Sequence, residues 1–183
     1  MRDEMFEVSV KLDGSSMTVF HNQDQAGVCG RNWWLRELAN NQLWQVARQD
    51  GLLEALQAYG RNLALQGELI GEGIQGNPEK IRGQQFYLYD IFDIDSASYL
   101  GGQERQQVIQ ALIGLGANIK HVPILELTSL ARFDGKIAAI LAYAEGKSLN
   151  PATMREGVVL KKLDGSFSFK AIANSYLLKH ADR

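Results

Sequence analysis

Lys11 and Asp13 flank Leu12 in the stretch VSVKLDGSSMTVF, residues 8–20, with Gly14 and two serines directly behind them. An amine that acts as a nucleophile must first lose its proton. A free lysine with a pKa of about 10.4 does so only about once in several thousand molecules at neutral pH. Burial, neighbouring cations or a metal ion shift that balance and make a lysine nucleophilic. Asp13 is spaced to hold a hydrated metal, and Gly14 lets a nucleotide come close to the backbone. The same residues also suit an ordinary solvated hairpin bend, and the stretch alone does not separate the two readings.

Four later stretches carry further candidates. In GVCGRNWW, Arg31 lies between a strand pattern and a helix pattern. Its fork of donors suits a phosphate or a ribose hydroxyl, although Arg31 and the two tryptophans would equally cover a surface. In LQGELIGEGIQGN, Glu68 interrupts an apolar strand. A carboxylate there is costly to bury unpaired, so it either meets water at the strand end or accepts a defined hydrogen bond, for example from a ribose hydroxyl. In FYLYDIFDI, the Tyr89 ring is either core or a face on which a base stacks, with Asp90 beside it. In EGVVLKK and FSFKAI, Glu156, Lys161 and Lys170 alternate with apolar residues. That pattern fits an exposed hairpin face, or a carboxylate for a divalent metal with two lysines facing a triphosphate. Carboxylate oxygens are the hard ligands that Mg²⁺ prefers, with several waters kept.

These residues need elements to hold them. Alternation predicts strands near residues 7–12, 16–21 and 25–29, with turns at Gly14-Ser15 and Asn22-Gln23-Asp24. Helical spacing runs over 35–59, broken at Asp50-Gly51. Residues 62–70 and 85–95 read as strands around a Gly-rich loop, and 102–115 as an amphipathic helix. HVPILEL reads as one short buried strand, 129–144 as a helix, 156–172 as a hairpin turning at Asp164-Gly165, and 174–180 as a closing helix. Strands dominate both ends, helices sit between them, and regular β-α alternation is missing. The fold class is α+β, with antiparallel sheets flanked by helices rather than a doubly wound parallel sheet.

At 183 residues the chain fits one domain, without repeats, low-complexity tracts or linkers. A net charge of -2 gives no global attraction to nucleic acid or anionic membranes, so a polyanion must be met by a local basic patch. The single Cys29 excludes an internal disulfide or a cysteine metal cage and suits a reducing cytoplasm. No apolar run approaches the ~20 residues of a membrane span, so no membrane partner is expected.

Each signal is weak alone, but their order is specific. KLDG, an Arg twenty residues on, GE in a strand, an aromatic-Asp strand, EGVV with its lysine and a terminal lysine strand resemble the covalent nucleotidyltransferase superfamily of polynucleotide ligases and messenger-RNA capping enzymes. Ser16 stands where DNA ligases and capping enzymes usually carry Arg. KLDGSS is therefore similar to RNA ligases, GELIGEGIQGN resembles the RNA ligase 2 group, and SFKAIANSYLLK resembles bacterial RNA ligases with an OB domain ahead of the catalytic domain.

The resemblance implies an ATP-grasp-like nucleotidyltransferase domain over residues 1–183 that uses ATP with Mg²⁺ or Mn²⁺ on RNA ends or RNA/DNA nicked duplex ends. It implies that Lys11 forms a lysyl-AMP with Asp13 and Gly14 beside the nucleotide. Arg31 would contact the ribose or orient the ends, Glu68 would hold the ribose hydroxyl, and Tyr89 would stack on adenine. Glu156 and Asp13 would position the metal, and Lys161 and Lys170 would bind phosphate oxygens. Val10 stands where many relatives have Glu, and Ile172 where many have a second lysine. Ten residues precede Lys11 and thirteen follow Lys170, so accessory domains or a partner chain are expected to be missing. A DNA ligase-like or capping-type enzyme, or a non-catalytic nucleotide-binding or end-binding module, are the alternatives.

Overall fold

A computed structural model of the protein describes residues 2–180. In chain order the elements are β1 (Met5–Lys11), β2 (Ser15–Asn22), β3 (Gln25–Cys29), β4 (Trp34–Leu35), α1 (Gln42–Gln49), α2 (Leu52–Tyr59), β5 (Leu63–Gly71), β6 (Gln84–Asp93), β7 (Ser98–Tyr99) and α3 (Gly102–Gly114). There follow β8 (Lys120–His121), β9 (Ile124–Ser129), a 3-10 turn (Leu130–Phe133), α4 (Ile137–Ala144), β10 (Gly157–Lys162), β11 (Ser168–Ile172) and α5 (Asn174–Lys179). They form a small sheet ordered β11-β10-β1-β9 and a large sheet ordered β4-β3-β2-β5-β6-β7, with β8 added alongside β6. Every pairing is antiparallel except β6 with β8. The α+β class follows from this arrangement.

Period-two alternation decides which face of each sheet is buried. On the large sheet, Met17, Val19, Leu65, Leu88 and Ile91 pack with Leu56 of α2 and Val108 and Leu112 of α3 in the main core. On the small sheet, Phe6, Val8, Val158 and Leu160 pack against Phe133 and α4. A third cluster of Val10, Leu12, Ile70 and Val122 joins the two sheets. No helix among the described residues is long and apolar enough to cross a membrane.

Three sequence expectations change. Residues 35–41 are not helical: Trp34 pairs with Cys29, and the helix starts only where the Asn41 side chain accepts hydrogen bonds from the N–H groups of Leu43 and Trp44. HVPILEL is two strands, because Pro123 separates β8, which joins the large sheet, from β9, an exposed edge of the small one. The helix expected over 129–144 is broken by Asp134 and Gly135, both at positive φ, so that only Ile137–Ala144 is α-helical.

Candidate active site

β1 and β2 are not a hairpin. β1 pairs with β9 and β10, β2 pairs with β3 and β5, and Leu12-Asp13-Gly14 carries the chain from one sheet to the other. Lys11 thus ends an inner strand at the seam between the sheets. Its ammonium donates to Glu156 Oε2 at 2.6 Å, and the two side chains are 23% and 15% exposed. The register explains the contact: Lys11 lies opposite Gly157, one residue past Glu156. A Cβ on Gly157 would fall 2.1 Å from the Ala171 carbonyl oxygen. Gly157→Ala is therefore expected to cost about 1–3 kcal/mol and to move Glu156 off Lys11. A urea midpoint equal to that of the parent protein would refute this.

Glu68 faces Lys11 from the large sheet, where it pairs with Ser16 and Tyr87. Burial pushes its carboxyl up to about 7; the Lys11 ammonium opposes that shift, Glu156 and Asp13 reinforce it, and the Gly14 N–H donates to the carboxylate. Gly14 is small for the protein's own sake, since a Cβ there would meet Leu69 O at 2.4 Å. One ammonium and two further carboxylates thus lie close enough to Glu68 to act on its charge. A carboxyl with a raised folded-state pKa favours folding at low pH and loses that contribution as pH rises through the folded value. Between the ordinary 4.5 and about 7, this amounts to at most about 3 kcal/mol. In the ligand-free protein, Glu68→Gln should leave the thermal midpoint unchanged near pH 4 and raise it above that of the parent at pH 8. Superimposable melting-versus-pH curves would contradict the assignment.

A cavity of about 360 Å³ opens between the sheets beside Lys11 and Glu68. Directly opposed residues share a face. The small sheet therefore presents three rows to the cleft: Lys11, Gly157 and Ile172; Ser9, Val159 and Lys170; Glu7, Lys161 and Ser168. From the large sheet, Gln66, Glu68, Tyr89 and Asp90 line the cavity. Tyr89 and Asp90 are neighbours in sequence yet share it because of a bulge: Gln66 pairs with Asp90 and Gly67 with Leu88, so Tyr89 is the extra residue. Burial raises the Tyr89 phenol, and a hydrogen bond with Ser16 opposes the shift.

The two motif lysines differ. Lys161 is buried on the cavity floor, donating to Tyr89 O at 2.7 Å and pairing with Asp90 Oδ2 at 2.7 Å. Burial pulls its pKa down, against the pull of Asp90. Behind it, Glu7 accepts from Arg105 of α3 at 2.5 Å; Arg105 is 1% exposed and its Nε has no partner among the described residues. Lys170 is exposed and has no ion pair among the described residues. Ile172 takes the place opposite Gly157 in the row of Lys11. Arg31 is exposed just past β3, outside this cavity, at the sheet end that carries Ser16 and Glu68.

A second cavity, of about 540 Å³, is lined by Asp13 and Glu156, the neighbours of Lys11 that the first cavity leaves out, and reaches Lys179 and His180 at the end of α5. No group of three or more metal-binding side chains is close enough to enclose an ion among the described residues. Asp13 and Glu156 are oxygen donors on an open wall, which fits a Mg²⁺-like ion that keeps most of its water. Gln66, Ser9 and Tyr99, also in the cavity wall, escaped the sequence reading. Gln66 had a signal, since it lies two residues before Glu68 and so on the same face; Tyr99 had none.

The RNA ligase family model matches residues 4–172. No curated protein matches the chain. Among solved structures, a Naegleria gruberi RNA ligase with PPi superposes with a TM-score of 0.94 at 56% sequence identity, over 100% of this chain and 53% of that one. A lysine-to-alanine variant of that ligase with ATP and Mn matches at 0.95, and a lysine-to-methionine variant with AMP and Mn at 0.94, with the same identity and coverage. This chain spans about half the length of those proteins. Its two-sheet cleft, its lysine at the seam and the match over nearly its whole length place it in one group: the chain belongs to the RNA ligase family.

Proposed function

We propose that residues 1–183 are the adenylyltransferase domain of an ATP-dependent RNA ligase, working in the cytoplasm, and that Lys11 is its nucleophile. The observation that carries this is the ammonium of Lys11 at the mouth of the inter-sheet cavity, 2.6 Å from Glu156 and facing Glu68. The adenine lies between Tyr89 and Val159, with the ribose hydroxyl at Glu68. Lys11 Nζ attacks the α-phosphorus of ATP, the bond to the β-phosphate oxygen breaks, pyrophosphate leaves with that electron pair, and the amine proton passes to water. A 5′-phosphate oxygen of RNA or of an RNA/DNA nick then displaces Lys11. A 3′-hydroxyl finally attacks that end and AMP departs.

The chain's own groups position and neutralise. Glu156 holds Lys11 in line until ATP arrives. Lys170, free of ion pairs among the described residues, meets phosphate oxygens, whereas Lys161 with Asp90 forms the fixed floor under the base. Asp13 and Glu156 would hold Mg²⁺ or Mn²⁺, which when bound supplies positive charge that favours the neutral amine and screens the phosphates. The test is incubation with ATP labelled at the α-phosphate and Mn²⁺, then intact-mass measurement. An added AMP supports the reading; ATP binding without a covalent adduct refutes it.

A further inference from the structure

We propose that the half of the large sheet's cleft-side face lying beyond the nucleotide cavity is a stacking platform for the RNA strand whose end is joined. This rests on the reading of the chain as an RNA ligase. The register places Phe20 opposite both Gly27 and Ala64, Ala64 opposite Phe92, and Phe92 opposite Tyr99. Those residues form one row across five strands, on the face opposite the main core. Trp34 extends the row, because its ring lies over Gly27 and meets Phe20 edge-on with centroids 5.4 Å apart. Phe92 and Tyr99 make a second edge-on pair at 5.1 Å.

A solvent-side sheet face ordinarily carries polar residues. Here it carries four aromatic rings, with Trp34 58% and Tyr99 40% exposed. The row leads into the reaction site: Tyr99 also lines the nucleotide cavity and donates to Gln66 at 3.2 Å. At its other end, the exposed Arg31 and Arg36 bracket Trp34 in sequence, and neither makes an ion pair among the described residues. The chain's net charge of -2 gives no general pull on a polyanion, so these two uncompensated cations matter locally. Two edge-on pairs of rings set apart by Ala64 on one sheet face, beside guanidinium groups without ion pairs among the described residues, suit splayed bases of a single strand. A protein partner would call for a continuous apolar patch instead. Because every base has a π-face, such a platform holds an end without choosing its sequence.

Phe20→Leu/Phe92→Leu keeps the apolar volume and removes two rings outside the nucleotide cavity. Affinity for a 5′-phosphorylated single-stranded oligoribonucleotide, read by fluorescence anisotropy, should fall about tenfold or more, with AMP transfer to Lys11 unchanged. On the unsubstituted protein, photocrosslinking of 5-iodouridine RNA should map to the peptides holding Phe20, Trp34 and Phe92. Equal affinity of the variant and the parent, or crosslinks confined to other peptides, would overturn the platform. So would a dimer that the double variant dissolves, since the rings would then serve a second copy of the chain. Loss of AMP labelling in both proteins, with RNA binding still dependent on the rings, would refute the ligase chemistry and leave the platform standing.

Discussion

Lys11→Ala should accept no AMP from ATP, with a loss limited only by assay background and at least about a thousandfold. Lys11→Arg should fail equally. A guanidinium keeps the positive charge and the pairing with Glu156 but does not release a proton at working pH. This pair of variants separates a nucleophile from a structural cation. If Lys11 only balanced Glu156 and Glu68, the arginine variant would retain function. Lys11→Ala also removes an ammonium that opposes the upward shift of Glu68, so the carboxyl of that residue should move further up. The readout is intact mass after incubation with ATP and Mn²⁺, and an AMP adduct on either variant would end the proposal that Lys11 is the nucleophile.

Arg105→Met should be the most damaging substitution outside the cleft, costing about 3–5 kcal/mol in urea unfolding. Arg105 is 1% exposed and answers a single carboxylate, that of Glu7, which is itself buried. Removing the guanidinium leaves an unpaired charge under the cavity floor, close enough to influence both Lys161 and His121. The double variant Glu7→Leu/Arg105→Met should recover most of that loss, because an apolar pair in the same space leaves no charge stranded. A single variant within about 1 kcal/mol of the parent would show that the pair is not buried in solution.

The sequence carried the order of the chemical residues better than their surroundings. Lys11, Glu68 and Tyr89 stood out as candidates because each is a polar or aromatic residue in an alternating strand, and Glu156 because it directly precedes one; the fold gathers them about the seam between the sheets. The hairpin reading of Lys11-Leu12-Asp13-Gly14 failed for a physical reason. Local alternation reports that two strands flank a bend, but not whether they pair with each other or with partners more than a hundred residues away. Lys161 and Lys170 looked equivalent by spacing, and only the bulge at Tyr89, which turns Asp90 into the cavity, tells them apart. Arg105 carried no signal within its own helix, since its partner Glu7 is 98 residues away. The helical spacing from residue 35 misled because the pairing of Trp34 with Cys29, which delays the helix to Asn41, leaves no local mark in the sequence.

The separation between Lys11 and Glu156 also bears on how the protein is made. β1 has an inner place in the small sheet, and its pairing strand β10 follows it in the chain by about 145 positions. At about 5–20 residues per second, β1 waits roughly seven to thirty seconds for that neighbour. Distant antiparallel pairings of this kind form slowly, because the loop between them must close first. The large sheet, whose strands β2 to β7 adjoin in sequence, is free to settle during that interval. A nascent chain therefore holds an open strand edge beside a lysine whose partner Glu156 has not yet been made. The contact between Lys11 and Glu156 forms only when β10 closes the small sheet.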